Sequence, residues 1–117
     1  MNYLLLIHEP RGQREQRSPQ QGRTAYDQML AFAETLKGEG KLRAVESLQG
    51  DERGRRVQVR EGQVRLLDGP FTEAKEFVGG FFLVDCGSLD EAVALAERCP
   101  AAAWATVEVR PVGPCFL

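Results

Sequence analysis

The chain is 117 residues long, with 43% hydrophobic and 27% charged residues, which suits one globular domain around a single core and excludes disorder. A balance of 15 basic against 17 acidic residues leaves a net charge of −2, so nucleic acid is not an expected partner. No apolar run approaches the roughly 20 residues needed to cross a bilayer, and no membrane partner is expected either.

In chain order, Tyr3 to His8 is apolar up to the polar His8-Glu9-Pro10 and predicts a strand buried on both faces. It has neither the basic n-region nor the cleavage site of a signal peptide. Arg11 to Arg23, rich in Gln, Arg, Gly, Ser and Pro and lacking apolar residues, predicts a solvated loop. Tyr26, Met29, Leu30, Ala33 and Leu36 then share one helical face opposite Asp27, Gln28 and Glu34. Thr24 with Asp27 forms a weak N-terminal cap, and Gly38 and Gly40 stop the helix. Leu42 to Leu48 predicts a modest strand, broken at Gly50 to Gly54.

Arg55 to Asp68 predicts a hairpin exposed on one face. Val57 and Val59 alternate with arginines and Gln58, Val64 and Leu66 alternate with Gln63 and Arg65, and Glu61-Gly62 supplies a two-residue turn. Gly79 to Cys86 predicts a second strand apolar on both faces. Ser88 and Glu91 then open a helix that buries Leu89, Ala92, Val93 and Ala96 and ends before Pro100. Trp104 to Arg110 predicts the last strand, with Ala105, Val107 and Val109 on one side.

Two β-α-β halves with a hairpin between them predict an α+β, ferredoxin-like sheet, with both helices on one face, in one domain spanning residues 1–117. Helices cover only one face, yet Tyr3 to Ile7 and Phe81 to Val84 are apolar on both. A second copy against the bare face resolves the conflict, so a homodimer is expected. Cys86, Cys99 and Cys115 are odd in number and widely spaced, which predicts neither disulfides nor a metal site. Cys86 and Cys99 read as reduced core residues of a cytoplasmic protein.

The segment Leu66-Leu67-Asp68-Gly69-Pro70-Phe71-Thr72-Glu73-Ala74-Lys75-Glu76, followed by Gly79-Gly80-Phe81, resembles the signature of the DGPF branch of the YCII-related proteins. The opening Tyr3-Leu4-Leu5-Leu6-Ile7 and the closing Val107-Glu108-Val109-Arg110-Pro111-Val112 are similar to that family's ends. The resemblance implies a dimeric α/β barrel, two ferredoxin-like sheets packed face to face. It also implies a superfamily that includes lactone isomerases, quinol-forming monooxygenases and a dehydrochlorinase, together with members of no known activity. DGPF proteins often stand beside extracytoplasmic-function sigma factors, which points to regulation by association alone. Better-studied relatives carry a helix-one histidine and an aspartate before a proline. This chain has Tyr26 and Gln28 in that helix and Cys99 before Pro100, so the pair does not carry over.

His8 is the single histidine, and an imidazole at a strand end suits acid–base work or simply meets solvent. Asp68 either holds the turn at Gly69-Pro70 or faces a cavity mouth at the sheet end. In the loop that follows, Glu73 is a candidate proton acceptor and Lys75 a candidate anchor for an acidic substrate, with solvation as the plain alternative for each. Phe71 and Tyr26 are candidate substrate contacts, as is Trp104, though core packing explains them too. Gly79-Gly80 permits a bulge or a close backbone approach rather than phosphate binding. His8, Asp68, Glu73 and Lys75 are expected to converge. The two function classes are a cofactor-independent isomerase or lyase working by proton transfer on a small acidic or aromatic-derived substrate, and a non-catalytic ligand-binding or regulatory module. Neither class calls for a cofactor.

Overall fold

Alternation with period two sets the first strand, β1 (Asn2–Pro10): Tyr3, Leu5, Ile7 and Glu9 are buried on one face, and Leu4, Leu6 and His8 turn to the other. In the computed structural model, which describes residues 1–116, β1 is followed by α1 (Gln13–Gln16), α2 (Pro19–Gly38), β2 (Leu42–Ser47), β3 (Arg55–Arg60), β4 (Gln63–Asp68), β5 (Glu76–Asp85), α3 (Leu89–Arg98) and β6 (Thr106–Pro111). The main sheet is antiparallel with order β2-β5-β1-β6. The two strands apolar on both faces are therefore the central pair. The α+β class holds, with a strand order compatible with a ferredoxin-like fold.

Both long helices lie on one face. Phe32, Ala33 and Leu36 of α2 and Ala92, Leu95 and Ala96 of α3 pack against Tyr3, Leu5, Ile7, Phe82 and Val84. Phe32 meets Phe82 edge to face, with ring centres 5.3 Å apart. The opposite face, which we call the open face, carries Leu4, Leu6, Ala44, Val78, Phe81 and Leu83, as the strand register requires. No element of the chain covers it among the described residues.

Several sequence expectations need correction. The stretch 11–23 is not a loop: it holds α1 and the first turn of α2. The overlooked signal is a capping box in which Ser18 Oγ accepts from Gln21 N (3.1 Å) and Gln21 Oε1 accepts from Ser18 N (2.9 Å), with Pro19 at the first helical position. The buried face of α2 is centred on Phe32, Ala33 and Leu36, while Tyr26 and Leu30 are exposed. In α3, Leu95 is buried, and Leu89 and Val93 are exposed. Ser88 caps α3 as expected, but Glu91 reaches back to Gly87 N (2.8 Å) rather than to Ser88. Trp104 precedes β6 instead of starting it.

The hairpin forms in the expected register with a turn at Glu61 (φ 53°) and Gly62 (φ 76°), both left-handed as a tight hairpin turn needs. It stands apart from the main sheet as a two-stranded ribbon. Every residue of β3 and β4 is exposed, on both faces rather than one. Cys86 and Cys99 are buried free thiols, and burial pushes both thiol pKa values up. Among the described residues no helix is long and apolar enough to cross a membrane.

Candidate functional site

A groove of about 440 Å³ runs between the N-terminal half of α2 and the sheet. Its existence follows from small residues on both walls. Gly22 and Ala25 stand on α2, and Gly79 and Gly80 stand on β5. Ile7, Met29, Leu30, Val45 and Phe82 make most of the lining apolar, and Tyr26 stands at the exposed edge. The size and mixed lining match those of small-molecule sites.

One charged pair lies in the groove. Glu9 is 4% exposed and is held in a two-pronged grip: Arg14 Nε donates to Oε1 (2.8 Å) and Arg14 Nη2 donates to Oε2 (2.6 Å). The carboxylate's hydrogen bonds hold the Arg14 guanidinium above its ordinary pKa. A bulge in β5 makes room for the pair: Ile7 faces Gly80 and His8 faces Val78, so Gly79 is the extra residue. A Cβ at position 79 would overlap the Glu9 carboxylate and lie 2.8 Å from Arg14 Nη2. The bulge expected at Gly79-Gly80 is present, and what approaches Gly79 is the Glu9 side chain rather than backbone.

Arg17 also lines the groove, with its guanidinium 4.4 Å from the centre of the Trp104 ring. Among the described residues Arg17 has no carboxylate partner, only a long 3.5 Å bond to Gln13 Oε1. The Trp104 indole N–H is buried and donates to no acceptor among the described residues. The groove therefore combines apolar walls, one neutralised charge pair and one cation free to meet an anion.

The residues singled out in the sequence are not gathered into one site within the chain. The topological half of the argument holds, because β5 is the antiparallel neighbour of β1 and His8 sits opposite Val78. The side chains, however, part company. His8 points to the open face and its Nε2 lies 2.6 Å from Glu108 Oε1. Asp68 is exposed at the hairpin base, paired with Arg55 Nε at 2.9 Å. Glu73 is exposed, and the Lys75 carbonyl accepts from Arg11 N (2.8 Å). Phe71 is buried beneath Arg56, whose guanidinium lies 4.0 Å from its ring centre. Of the seven candidates only Tyr26 and Trp104 border the groove.

The Asp-Gly-Pro-Phe segment has a structural explanation. Arg11 grips Asp51 with Nη1 on Oδ1 (3.0 Å) and Nη2 on Oδ2 (2.6 Å), while also donating to the carbonyls of Ala74 (2.7 Å) and Phe71 (3.1 Å). Phe71 N donates to Asp51 Oδ2 (3.1 Å). Gly69 N donates to Gly54 O (3.0 Å), and the Gly69–Pro70 peptide is cis. This clasp fixes the root of the hairpin to the end of β1. The Asp51 carboxyl is pulled down to about 2, first by the hydrogen bonds from Arg11 and then by the Phe71 amide, against desolvation. In an unfolded chain an aspartate returns to about 3.9. Because the folded value is the lower one, the stabilisation is complete above about pH 4 and lost as the pH falls through 2. Melting temperatures between pH 5 and pH 2 should fall less steeply for Asp51→Asn than for the native chain, and equal slopes would remove Asp51 from the acid response.

The sequence profile of the YCII-related domain matches residues 1–115, nearly the whole chain. The chain belongs to the YCII-related family. Over 75 residues it is 40% identical to an uncharacterized protein of Rhizobium meliloti (strain 1021), an alignment covering 62% of this chain and 60% of that protein. This YCII-related protein is thus similar to a relative of undefined activity, and its own groove is the best guide to its chemistry. Among its described residues no group of three His, Cys, Asp or Glu side chains is placed to hold a metal.

Proposed function

We propose that this YCII-related protein binds a small, largely apolar acid in the α2 groove, and that it does so as a homodimer joined through the open face of the sheet. The observation that carries the binding reading is the groove's make-up: apolar walls, a saturated Glu9–Arg14 pair, and Arg17 without a carboxylate. Both Glu9 oxygens already accept from Arg14, and binding is the simpler use of the site. A thermal-shift panel of aryl and cycloalkyl carboxylic acids, each beside its neutral amide, tests this. The acids should raise the melting temperature, since a ligand at 100 times its Kd adds about 2.7 kcal/mol. Ala25→Phe, which fills the groove, should abolish the shift. Acids and amides acting alike, or a shift that survives Ala25→Phe, would refute the site.

One observation favours a catalytic version, a cofactor-independent isomerase or lyase. Glu9 is a buried carboxylate inside the groove, and a substrate anion that drew Arg14 away would leave it free to take a proton. Glu9→Gln would then keep ligand binding and lose turnover of a ring lactone or a chlorinated ring compound. In either version His8 takes no part, since it lies on the opposite face of the sheet. His8→Gln should leave acid affinity within twofold, and a larger loss, read by calorimetry, would return His8 to the site.

The dimer reading is supported by the apolar centre of the open face, Leu4, Leu6, Phe81 and Leu83, which no part of the chain covers among the described residues. Sedimentation at micromolar concentration should give about twice the chain mass of 13.0 kDa, and Leu6→Glu should give the monomer.

A further inference from the structure

The β3–β4 ribbon has two unlike faces. Residues opposite each other in an antiparallel pair share a face, so the register Val57↔Leu66 and Val59↔Val64 puts four aliphatic side chains together. Their exposures are 61% and 67% for the first pair, and 56% and 65% for the second. The other face carries Arg56, Gln58, Arg60, Gln63 and Arg65, with Leu67 its single aliphatic residue. A two-stranded ribbon with nothing against its apolar face is marginal in water at best. Yet the root of this ribbon is not loose: the Arg11–Asp51 clasp, the Gly69–Gly54 hydrogen bond and the Arg56–Phe71 contact hold it in one direction.

Two whole-chain quantities say what the ribbon is missing. The radius of gyration is 16.0 Å, against about 13 Å for a compact chain of this length. The accessible surface is 7964 Å², against roughly 6300 Å² for a folded monomer of this mass. The excess exceeds the roughly 800 Å² that each partner contributes to a standard interface. Charge points to the occupant. Arg55, Arg56, Arg60 and Arg65 outweigh Glu61 and Asp68 in the ribbon by two, while the whole chain carries −2, so the remainder carries −4.

We infer that the β3–β4 hairpin is an arm whose apolar face, Val57, Val59, Val64 and Leu66, packs against the acidic body of a second copy of this chain. The inference rests on the dimer reading above and adds a contact outside the open sheet face. Opposite net charges on arm and body favour their approach, the ribbon stands clear of its own body with every residue exposed, and its fixed root means little ordering is lost when the arm lands on a second copy.

The test compares three chains by sedimentation equilibrium: native, Leu66→Glu, and a version with residues 56–67 replaced by a short Gly-Ser turn. Both altered chains should dimerise at least tenfold more weakly than native, with circular dichroism confirming the folded main sheet. A benzophenone side chain placed at position 66 should yield a covalent dimer on irradiation, and one at position 58, on the polar face, should not. A native dimer whose affinity is unmoved by either change, without cross-linking from position 66, overturns the arm and leaves the open-face dimer standing. A monomeric native chain overturns both.

Discussion

Arg14→Ala is expected to destabilise the fold by roughly 3 kcal/mol, the lower end of what removing one partner of a buried ion pair costs. Glu9 is almost fully enclosed, and both its oxygens depend on the one guanidinium. Without Arg14 the carboxylate keeps its burial and loses its partner. At about 4 °C per kcal/mol for a domain of this size, the melting temperature should fall by about 12 °C. The paired change Glu9→Leu with Arg14→Met should recover most of that loss, because it removes the buried charge instead of stranding it. Thermal denaturation of the two proteins checks both halves. A single-mutant loss below about 1 kcal/mol would mean that water reaches Glu9 and that the groove floor is wetter than its 4% exposure indicates.

Gly69→Ala should be at least as damaging, by about 3 kcal/mol, at the upper end of ordinary overpacking. A Cβ there would run into the Asp51 carbonyl oxygen, 2.8 Å from the carbonyl carbon and 3.3 Å from Gly54 O. These are backbone atoms of the 51–54 turn, so no side-chain rotation relieves the overlap. The contrast with Gly62→Ala at the hairpin tip is informative, because a Cβ at 62 meets nothing within 4 Å and only its positive φ resists. Urea unfolding should therefore rank Gly69→Ala well below Gly62→Ala. If the two lose stability equally, the close approach at the hairpin root is not what keeps position 69 a glycine.

How far the sequence could be read depends on which physical signal each element carries. The central strands were legible because Tyr3 to Ile7 and Phe81 to Val84 are apolar without interruption, and the hairpin because Glu61-Gly62 separates two alternating runs. The start of α2 was missed because its first turn is polar, and it is announced by the Ser18 and Gln21 capping pair with Pro19 between them. That omission hid the groove as well. Gly22, Ala25, Tyr26 and Met29 fall at helical spacing along its wall, yet a helix taken to begin near Thr24 leaves Gly22 in a loop. Glu9 was within reach of the alternation rule, sharing a face with Tyr3, Leu5 and Ile7, but a charged residue before Pro10 read as the end of burial. Its partner was not legible at all. Arg14 reaches Glu9 through a one-turn helix that has no buried residue of its own. His8 and Asp68 drew attention as residue types, and geometry gave their polar atoms to Glu108 and Arg55 instead.

The position of β1 in the sheet has a kinetic consequence. Its two neighbours are β5 and β6, both from the second half of the chain, and the His8–Glu108 contact joins residues 100 apart in sequence. A nascent chain therefore makes this apolar central strand before either of its partners and waits for both. Local helix formation in α2 offers one side of cover, but hydrogen-bonded closure requires Thr106–Pro111 to have left the ribosome. Such long-range pairing makes the domain slower to fold than a helical bundle of its size. During that interval Tyr3 to Ile7 is the segment most open to chaperone capture.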